Sequence, residues 1–325
     1  MQMSRINILF LGGAKRVSMA RLFKAAAEKL GLQAAIFSYE IDDVVPVACE
    51  ATVVKGSRWS DQDILEHLDE TVGRYNIKVV IPFVDGAVAV ASAYAARYPG
   101  KVFVPSGDAA TAELMFDKVR AAAAFEKAGI PVPPTYHRGD PCLRLIAKPR
   151  HGSASKGIVS INSVETLDNV LLKSDDYLIQ ERIDNREELT VDCYVSVADG
   201  RPLIISPRRR NVTVGGEVSD TVTIEERSAV ELSRRVLECM NLRGAVTVQL
   251  IRDLDSPGRL LVMEVNPRLG GGAVCSVMAG ADIPELILSE ATGRRIEPAV
   301  AQPGVRICRY MQEVVFVNDV LKSEI

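Results

Sequence analysis

The sequence predicts an α/β fold, with an N-terminal parallel α/β domain over residues 1–107 followed by a two-part α+β unit. Three observations lead to it. Short apolar β runs alternate with helical stretches through the N-terminal third, a pattern that makes right-handed βαβ units and a parallel sheet. From Tyr177 onward the pattern turns mostly β. The length of 325 residues, at roughly 100–200 per domain, gives two or three domains.

In chain order, residues 6–11 form an apolar β run ending at Gly12-Gly13, and residues 17–30 have helical spacing and stop at Gly31. Further β runs fall at 34–39, 51–54, 79–81 and 102–104. Ser60 with Asp63 reads as a capping box for a helix reaching Tyr75, and 85–98 is an Ala/Val-rich helix. Residues 108–128 read as one helix, closed by Gly129 and the Pro131, Pro133, Pro134 stop. A strand at 143–147 runs into Lys148-Pro149; a polar loop, a strand at 158–161 and a helix at 164–173 follow. Strands are expected at 177–180, 189–198, 202–206 and 218–224, then a helix at 226–240. Strands at 245–251 and 260–265 close a hairpin through Asp255-Ser256-Pro257-Gly258.

Charge and composition exclude several classes. Lys plus Arg is 39 and Asp plus Glu 42, a net charge of −3. That balance argues against a general nucleic-acid partner, which needs a basic surface. A hydrophobic share of 47% with 25% charged suits a soluble chain. No apolar run approaches the ~20 residues that span a bilayer. The first apolar run is too short for a secretory signal, so no membrane partner and a cytoplasmic location are expected. The six cysteines are scattered without a Cys-x-x-Cys pair and read as reduced thiols. The three histidines do not cluster, so any metal must be held mainly by oxygen.

Gly12-Gly13 lacks the rest of a dinucleotide fingerprint; it reads as a simple βα turn or as a substrate-anion site with Lys15 or Arg16 beside it. A dinucleotide-dependent oxidoreductase rests on those glycines alone. In Lys148-Pro149-Arg150-His151-Gly152-Ser153-Ala154-Ser155-Lys156-Gly157, a lysine ends a β run and a small-residue loop follows. Such a loop can fold over a polyphosphate while the lysine supplies a point charge. Gln249 and Glu264 lie in paired strands, and Asn266, two residues beyond Glu264, faces the same side. One carboxylate and two amide carbonyls make a hard-oxygen site suited to Mg²⁺ with bound phosphate. Pro267-Arg268-Leu269-Gly270-Gly271-Gly272 follows, with Arg268 in reach of a phosphoryl group and glycines that allow close backbone approach. Arg208 and Arg210 share one strand face and suit an anionic substrate or phosphate, or a solvated basic turn.

Together, Lys118, Lys148-Pro149 with its loop, Gln180-Glu181 and Glu264-Val265-Asn266-Pro267-Arg268 resemble the ATP-grasp superfamily. The likeness is greatest to stand-alone relatives of the carbamoyl-phosphate synthase large-chain synthetase domain, and Gln249 at the first metal position strengthens it. The resemblance covers residues 105–295. It implies a pre-ATP-grasp domain over 1–107, a small lobe with the phosphate loop over 108–180, a large lobe with the metal site over 181–299, and a tail over 300–325. It implies that Lys118 reaches the ATP phosphates from the smaller lobe. Lys148 would contact the α/β-phosphates, and Ser153, Ser155 and Gly157 would belong to a closing loop. Gln180, Glu181, Arg182 and Ile183 would form the hinge that reads adenine, and Glu188 would approach the ribose. Gln249, Glu264 and Asn266 would hold Mg²⁺, with Mn²⁺ as the alternative ion, and Arg268 would stabilise an acyl-phosphate transition state. The implied activity is ATP-dependent joining of a small-molecule carboxylate or amino acid to an amine or related nucleophile; a homodimer is the assembly considered. A catalytically idle ATP- or ADP-binding regulator on the same fold is the alternative.

Overall fold

The computed structural model describes residues 4–137, 140, 144–152, 156–172 and 174–324. β1 (Ser4–Leu11), α1 (Val17–Lys29), β2 (Leu32–Glu40), β3 (Thr52–Lys55), α2 (Ile64–Arg74), β4 (Val79–Pro82) and α3 (Asp85–Arg97) build the N-terminal unit. Its sheet has the order β3-β2-β1-β4, with every pair parallel. Both faces are covered, as a parallel sheet requires. Ile6, Ile8 and Phe10 point into a core with Met19 and Phe23 of α1. Leu9 and Leu11, one residue out of phase, point into a second core with α2 and α3. Residues 102–104 contribute only a parallel bridge from Phe103 to Val79. The Ser60–Asp63 capping box does not form. Asp63 precedes α2 without a side-chain cap bond, and the Asp61 carboxylate instead accepts the Arg58 N–H at 2.8 Å in a turn of its own.

The single helix expected over 108–128 is two, α4 (Ala109–Phe116) and α5 (Lys118–Lys127). Asp117 breaks it, with φ −94° and ψ 98°, and its carboxylate caps α5 by accepting the Val119 and Arg120 N–H groups. Arg150 holds the same carboxylate at 2.7 Å and 2.9 Å. Although 108–180 reads as one lobe in the sequence, Met115, Ala121 and Phe125 share a core with Val191, Val248 and Val265 of the later sheet. Lys118 therefore stands on a helix packed against the larger lobe.

The smaller lobe is β5 (Leu145–Pro149), β6 (Val159–Ile161), α6 (Val164–Leu171) and β7 (Tyr177–Glu181), an antiparallel sheet in the order β6-β5-β7. The larger lobe contains β8 (Arg186–Val195), β9 (Pro202–Val214), β10 (Glu217–Thr223), α7 (Arg227–Cys239), β11 (Gly244–Asp253), β12 (Leu260–Asn266), α8 (Val274–Met278) and α9 (Ile283–Ala291). β9 continues through Arg208-Arg209-Arg210 rather than ending there, because β10 pairs with it along that stretch. The C-terminal stretch carries strands of its own. β13 (Arg306–Cys308) joins the sheet edge to give β12-β11-β8-β9-β10-β13, held at Thr223 by reciprocal bonds with Val305 and at Asp220 by Arg306. A hairpin of β14 (Val314–Val317) and β15 (Val320–Glu324) ends the chain.

The N-terminal unit and the larger lobe share one core, in which Tyr194, Leu203, Ile204 and Ala245 meet Ile8, Phe10 and the α9 residues Ile283 and Ile287. That continuity fixes the β-strand ends of the first sheet against the larger lobe. No helix among the described residues is long and apolar enough to cross a membrane.

Candidate active site

Two adjoining cavities lie along the larger lobe. The first, about 410 Å³, runs between the lobes and is lined by Lys118, Lys148, Glu181 to Ile183, Glu188, Gln249 and Glu264 among others. The second, about 260 Å³, adds residues of the N-terminal unit and the glycine loop. Arg210, Gly216, Gln249 and Glu264 line both.

Lys148 is the last residue but one of β5 and is buried. Its ammonium donates to Gln180 Oε1 at 3.0 Å, while Gln180 Nε2 donates to the Pro133 carbonyl at 2.9 Å. Gln180 is thus locked, and its side chain aims Lys148 rather than facing the first cavity. Burial draws the Lys148 pKa down to about 8, with Glu264 pulling it up and Lys118 pushing it down. Lys118 opens α5, its backbone N–H bonded to the Arg150 carbonyl. Its ammonium donates to the Gly152 carbonyl at 2.7 Å and stands 3.6 Å from Glu264 Oε1. Ser153 and Ser155 lie outside the described residues; Gly157, with φ +75°, sits against Pro149.

Elsewhere along the first cavity, Glu181 ends β7 and Arg182 and Ile183 follow it. The Glu181 carboxylate is held by Arg259, which also binds Asp253 at 2.9 Å. Arg182 pairs with Asp184 at 2.7 Å. Glu188 lies between Arg186 at 3.2 Å and Arg210 at 3.3 Å.

The hairpin of β11 and β12 has the register needed to gather oxygen donors. Gln249 pairs with Glu264 and Thr247 with Asn266, with a bulge just after Gln249. Each of the three oxygens faces a cationic nitrogen. Glu264 has Lys118 at 3.6 Å, Gln249 Oε1 accepts from Arg210 at 3.3 Å, and Asn266 Oδ1 accepts from Arg268 at 3.3 Å. Among the described residues no three His, Cys, Asp or Glu side chains gather around one point, so Glu264 is joined here by amide oxygens rather than by further carboxylates. A carboxylate with two amide oxygens, already favouring positive charge, fits Mg²⁺, which takes few carboxylates and keeps several waters.

Arg268 makes its shortest contact across units, from Nε to Asp85 Oδ1 at 2.7 Å. Asp85 stands in the first turn of α3, directly beyond β4, and the sequence reading missed it. Its signal was present: carboxyl ends of parallel strands are where open α/β sheets place ligands. Arg208 is buried and spent on Asp192, at 2.8 Å from Nε to Oδ2, and Ser276 donates to that same oxygen at 2.7 Å. Neither a solvated turn nor a free anion site describes it. Lys15 is exposed and lines neither cavity; its neighbour Arg16 lines the second. The glycine loop does not leave open space. A Cβ at Gly272 would lie 2.7 Å from Arg208 Cζ, and one at Gly271 would lie 3.1 Å from an Arg16 nitrogen. These glycines are needed because arginines pack on them.

A two-lobed cleft with buried lysine, oxygen-bearing hairpin and arginine-lined annex defines the ATP-grasp class of fold. Residues 173–314 match the family model described as "ATP-grasp in the biosynthetic pathway with Ter operon", and the chain has the ATP-grasp fold. Among solved structures, a 2-oxoglutarate carboxylase biotin carboxylase domain from Hydrogenobacter thermophilus, in complex with MgADP, ADP and bicarbonate, is 16% identical with a TM-score of 0.74, covering 95% of this chain and 75% of that one. N5-carboxyaminoimidazole synthetase from Staphylococcus aureus, complexed with ADP, is 16% identical with a TM-score of 0.72, covering 93% and 82%. L-amino acid ligase from Bacillus licheniformis is 18% identical with a TM-score of 0.67, covering 88% and 74%. At these identities the likeness is one of fold. Curated protein sequences include no match to the chain.

Proposed function

We propose that the protein is an ATP-dependent ligase that activates a small-molecule carboxylate as an acyl phosphate and passes it to an amine or related nucleophile. The observation that carries this is the convergence of Lys118, Lys148 and the Gln249–Glu264–Asn266 set on one cleft, with an arginine-lined cavity opening from its shared wall. The fold neighbours named above, a carboxylase domain, a synthetase and an amino acid ligase, support the same reading.

The first cavity takes ATP, with its phosphates toward Lys118 and Lys148 and its base toward residues 181–183. The second takes the carboxylate. Two negative reactants must approach, and the chain answers with Lys148, Lys118, Arg210 and Arg268 around the shared wall. Gln249, Glu264 and Asn266 would hold Mg²⁺, or Mn²⁺, which supplies further neutralisation of phosphate charge when bound. Attack of the substrate carboxylate on the γ-phosphorus forms the acyl phosphate and releases ADP. The incoming nucleophile then displaces phosphate, and the smaller lobe shields the intermediate from water.

An ADP-release assay across carboxylate and amine pairs tests this, with Glu264→Ala as control. Release that needs both an acid and a nucleophile and is lost in the variant is the expected result. Nucleotide binding without turnover for any pair would transfer the protein to the idle-regulator class.

A further inference from the structure

We propose that the acid substrate carries a second anionic group, and that Arg16 and Arg309 seat it at the far end of the second cavity. This rests on the ligase reading for the first group, the one activated beside Glu264.

The described residues lining that cavity include four arginines, Arg16, Arg208, Arg210 and Arg268, against three carboxylates, Asp85, Glu217 and Glu264. Their pairings are unequal. Arg268 is matched by Asp85 at 2.7 Å, and Arg208 by Asp192 from behind the cavity at 2.8 Å. Glu217 is shared. Arg309 takes it at 2.9 Å, and Arg16 reaches it only at 3.5 Å. A charge-assisted N–H···O bond is normally about 2.7–2.9 Å long, so Arg16 has no full-strength carboxylate partner. Its side chain is nonetheless only 16% exposed. It lies between the Phe83 ring, 5.9 Å away, and the Gly271 backbone. Burial depresses its affinity for its proton; Glu217 opposes this, and Arg268 and Arg309 add to it. A guanidinium held this way gains most from an incoming anion.

Position separates this from the reacting end. Arg210, Gln249 and Glu264 line both cavities, whereas Arg16 and Glu217 line only the second. Arg309 arrives from the residue after β13, bonding the Gly271 carbonyl as well as Glu217. A volume of about 260 Å³ is at or below the low end of ligand sites, so the acid is short. Carboxylate and phosphate share the chemistry that these arginines would read.

The test compares glutarate, 3-phosphonopropionate and butyrate at constant ionic strength, with and without MgADP. Binding is followed by melting temperature and by the fluorescence of Trp59, the sole tryptophan, which packs on Gly86 beside Asp85. Either dianion should bind at least about tenfold more tightly than butyrate; which dianion binds better identifies carboxylate or phosphate. Arg16→Gln and Arg309→Gln should each lose most of that preference while MgADP affinity stays unchanged. Glu217→Gln should strengthen dianion binding, because a competing carboxylate is removed; a purely structural salt bridge would give the reverse. Equal binding of butyrate and the dianions, or an unaltered preference in both arginine variants, overturns the inference. Failure of MgADP to bind instead removes the ligase reading, and the dianion comparison still stands on the ligand-free protein.

Discussion

Raising the pH past 8 should release nucleotide from the cleft, and Lys148→Arg should abolish that release. Burial holds Lys148 at about 8 against an ordinary 10.5. In the ligand-free protein its ammonium is about nine-tenths charged at pH 7 and about one-tenth charged at pH 9. If the charged form carries the phosphate contact, apparent affinity falls about tenfold over that interval. Arginine stays charged throughout, so its variant should show a flat profile there, whatever its absolute affinity. Stability moves the other way. The folded value lies below the unfolded one, so the unfolded chain binds more protons between about pH 8 and 10.5 and ligand-free stability rises through that window. The buried charge costs the fold roughly 3 kcal/mol at pH 7. Lys148→Met removes that cost but deprives Gln180 Oε1 of its donor, worth roughly 1–3 kcal/mol. The variant should therefore melt at or slightly above wild type at pH 7, and lose that advantage as pH nears 10.5. Titration with a fluorescent ATP analogue across this range, with parallel melting curves, measures both. A flat wild-type affinity profile, or an equal fall in Lys148→Arg, would refute the charge argument.

Three further outcomes are expected. Glu264→Ala should lower turnover by about 10²-fold or more with little change in melting temperature, since the residue faces the cleft; near-normal steady-state rates would remove it from the ion site. Asp117→Ala removes the α5 cap and should cost about 1–2 kcal/mol in chemical denaturation. It should also weaken nucleotide binding, because Lys118 is the first residue of that helix; unchanged affinity would show Lys118 to be held otherwise. Arg268→Lys should keep nucleotide affinity but lose about 10²–10³ in kcat, because lysine cannot bridge Asp85 and Asn266 while presenting a planar fork; single-turnover kinetics with a matched substrate pair would show it.

What was legible in the sequence was local. Gln249, Glu264 and Asn266 could be placed on one face because a hairpin turn and the two-residue strand period set their register without distant information. The parallel sheet followed from alternation, and Lys148 from a β run ending in a polar loop. The break at Asp117 was also readable, since aspartate competes for backbone donors inside a helix and caps the next one, but apolar periodicity on both sides masked it. Asp85 and Arg268 are 183 residues apart in the chain, and no period links them. Arg309 follows a three-residue edge strand, too short for any pattern to show.

Those distant contacts change how the site is understood. The ion-type hairpin, the nucleotide lysines and the N-terminal unit are connected through cations that each hold a protein oxygen: Lys118 on Glu264, Arg210 on Gln249 and Glu188, Arg268 on Asn266 and Asp85. Binding is then an exchange of partners rather than the filling of a vacant space. Anionic phosphates and carboxylates compete for cations that protein oxygens already hold, so net affinity is a difference between two sets of charge-assisted bonds. It also means that removing one oxygen frees a cation for ligand, whereas removing one cation leaves a buried or half-buried oxygen unpaired. Acid and base variants along this cleft should consequently differ in sign for ground-state binding. The reciprocal behaviour of Glu217→Gln and Arg16→Gln toward the same dianion is the cleanest place to see that difference, because both residues lie away from the reacting atoms.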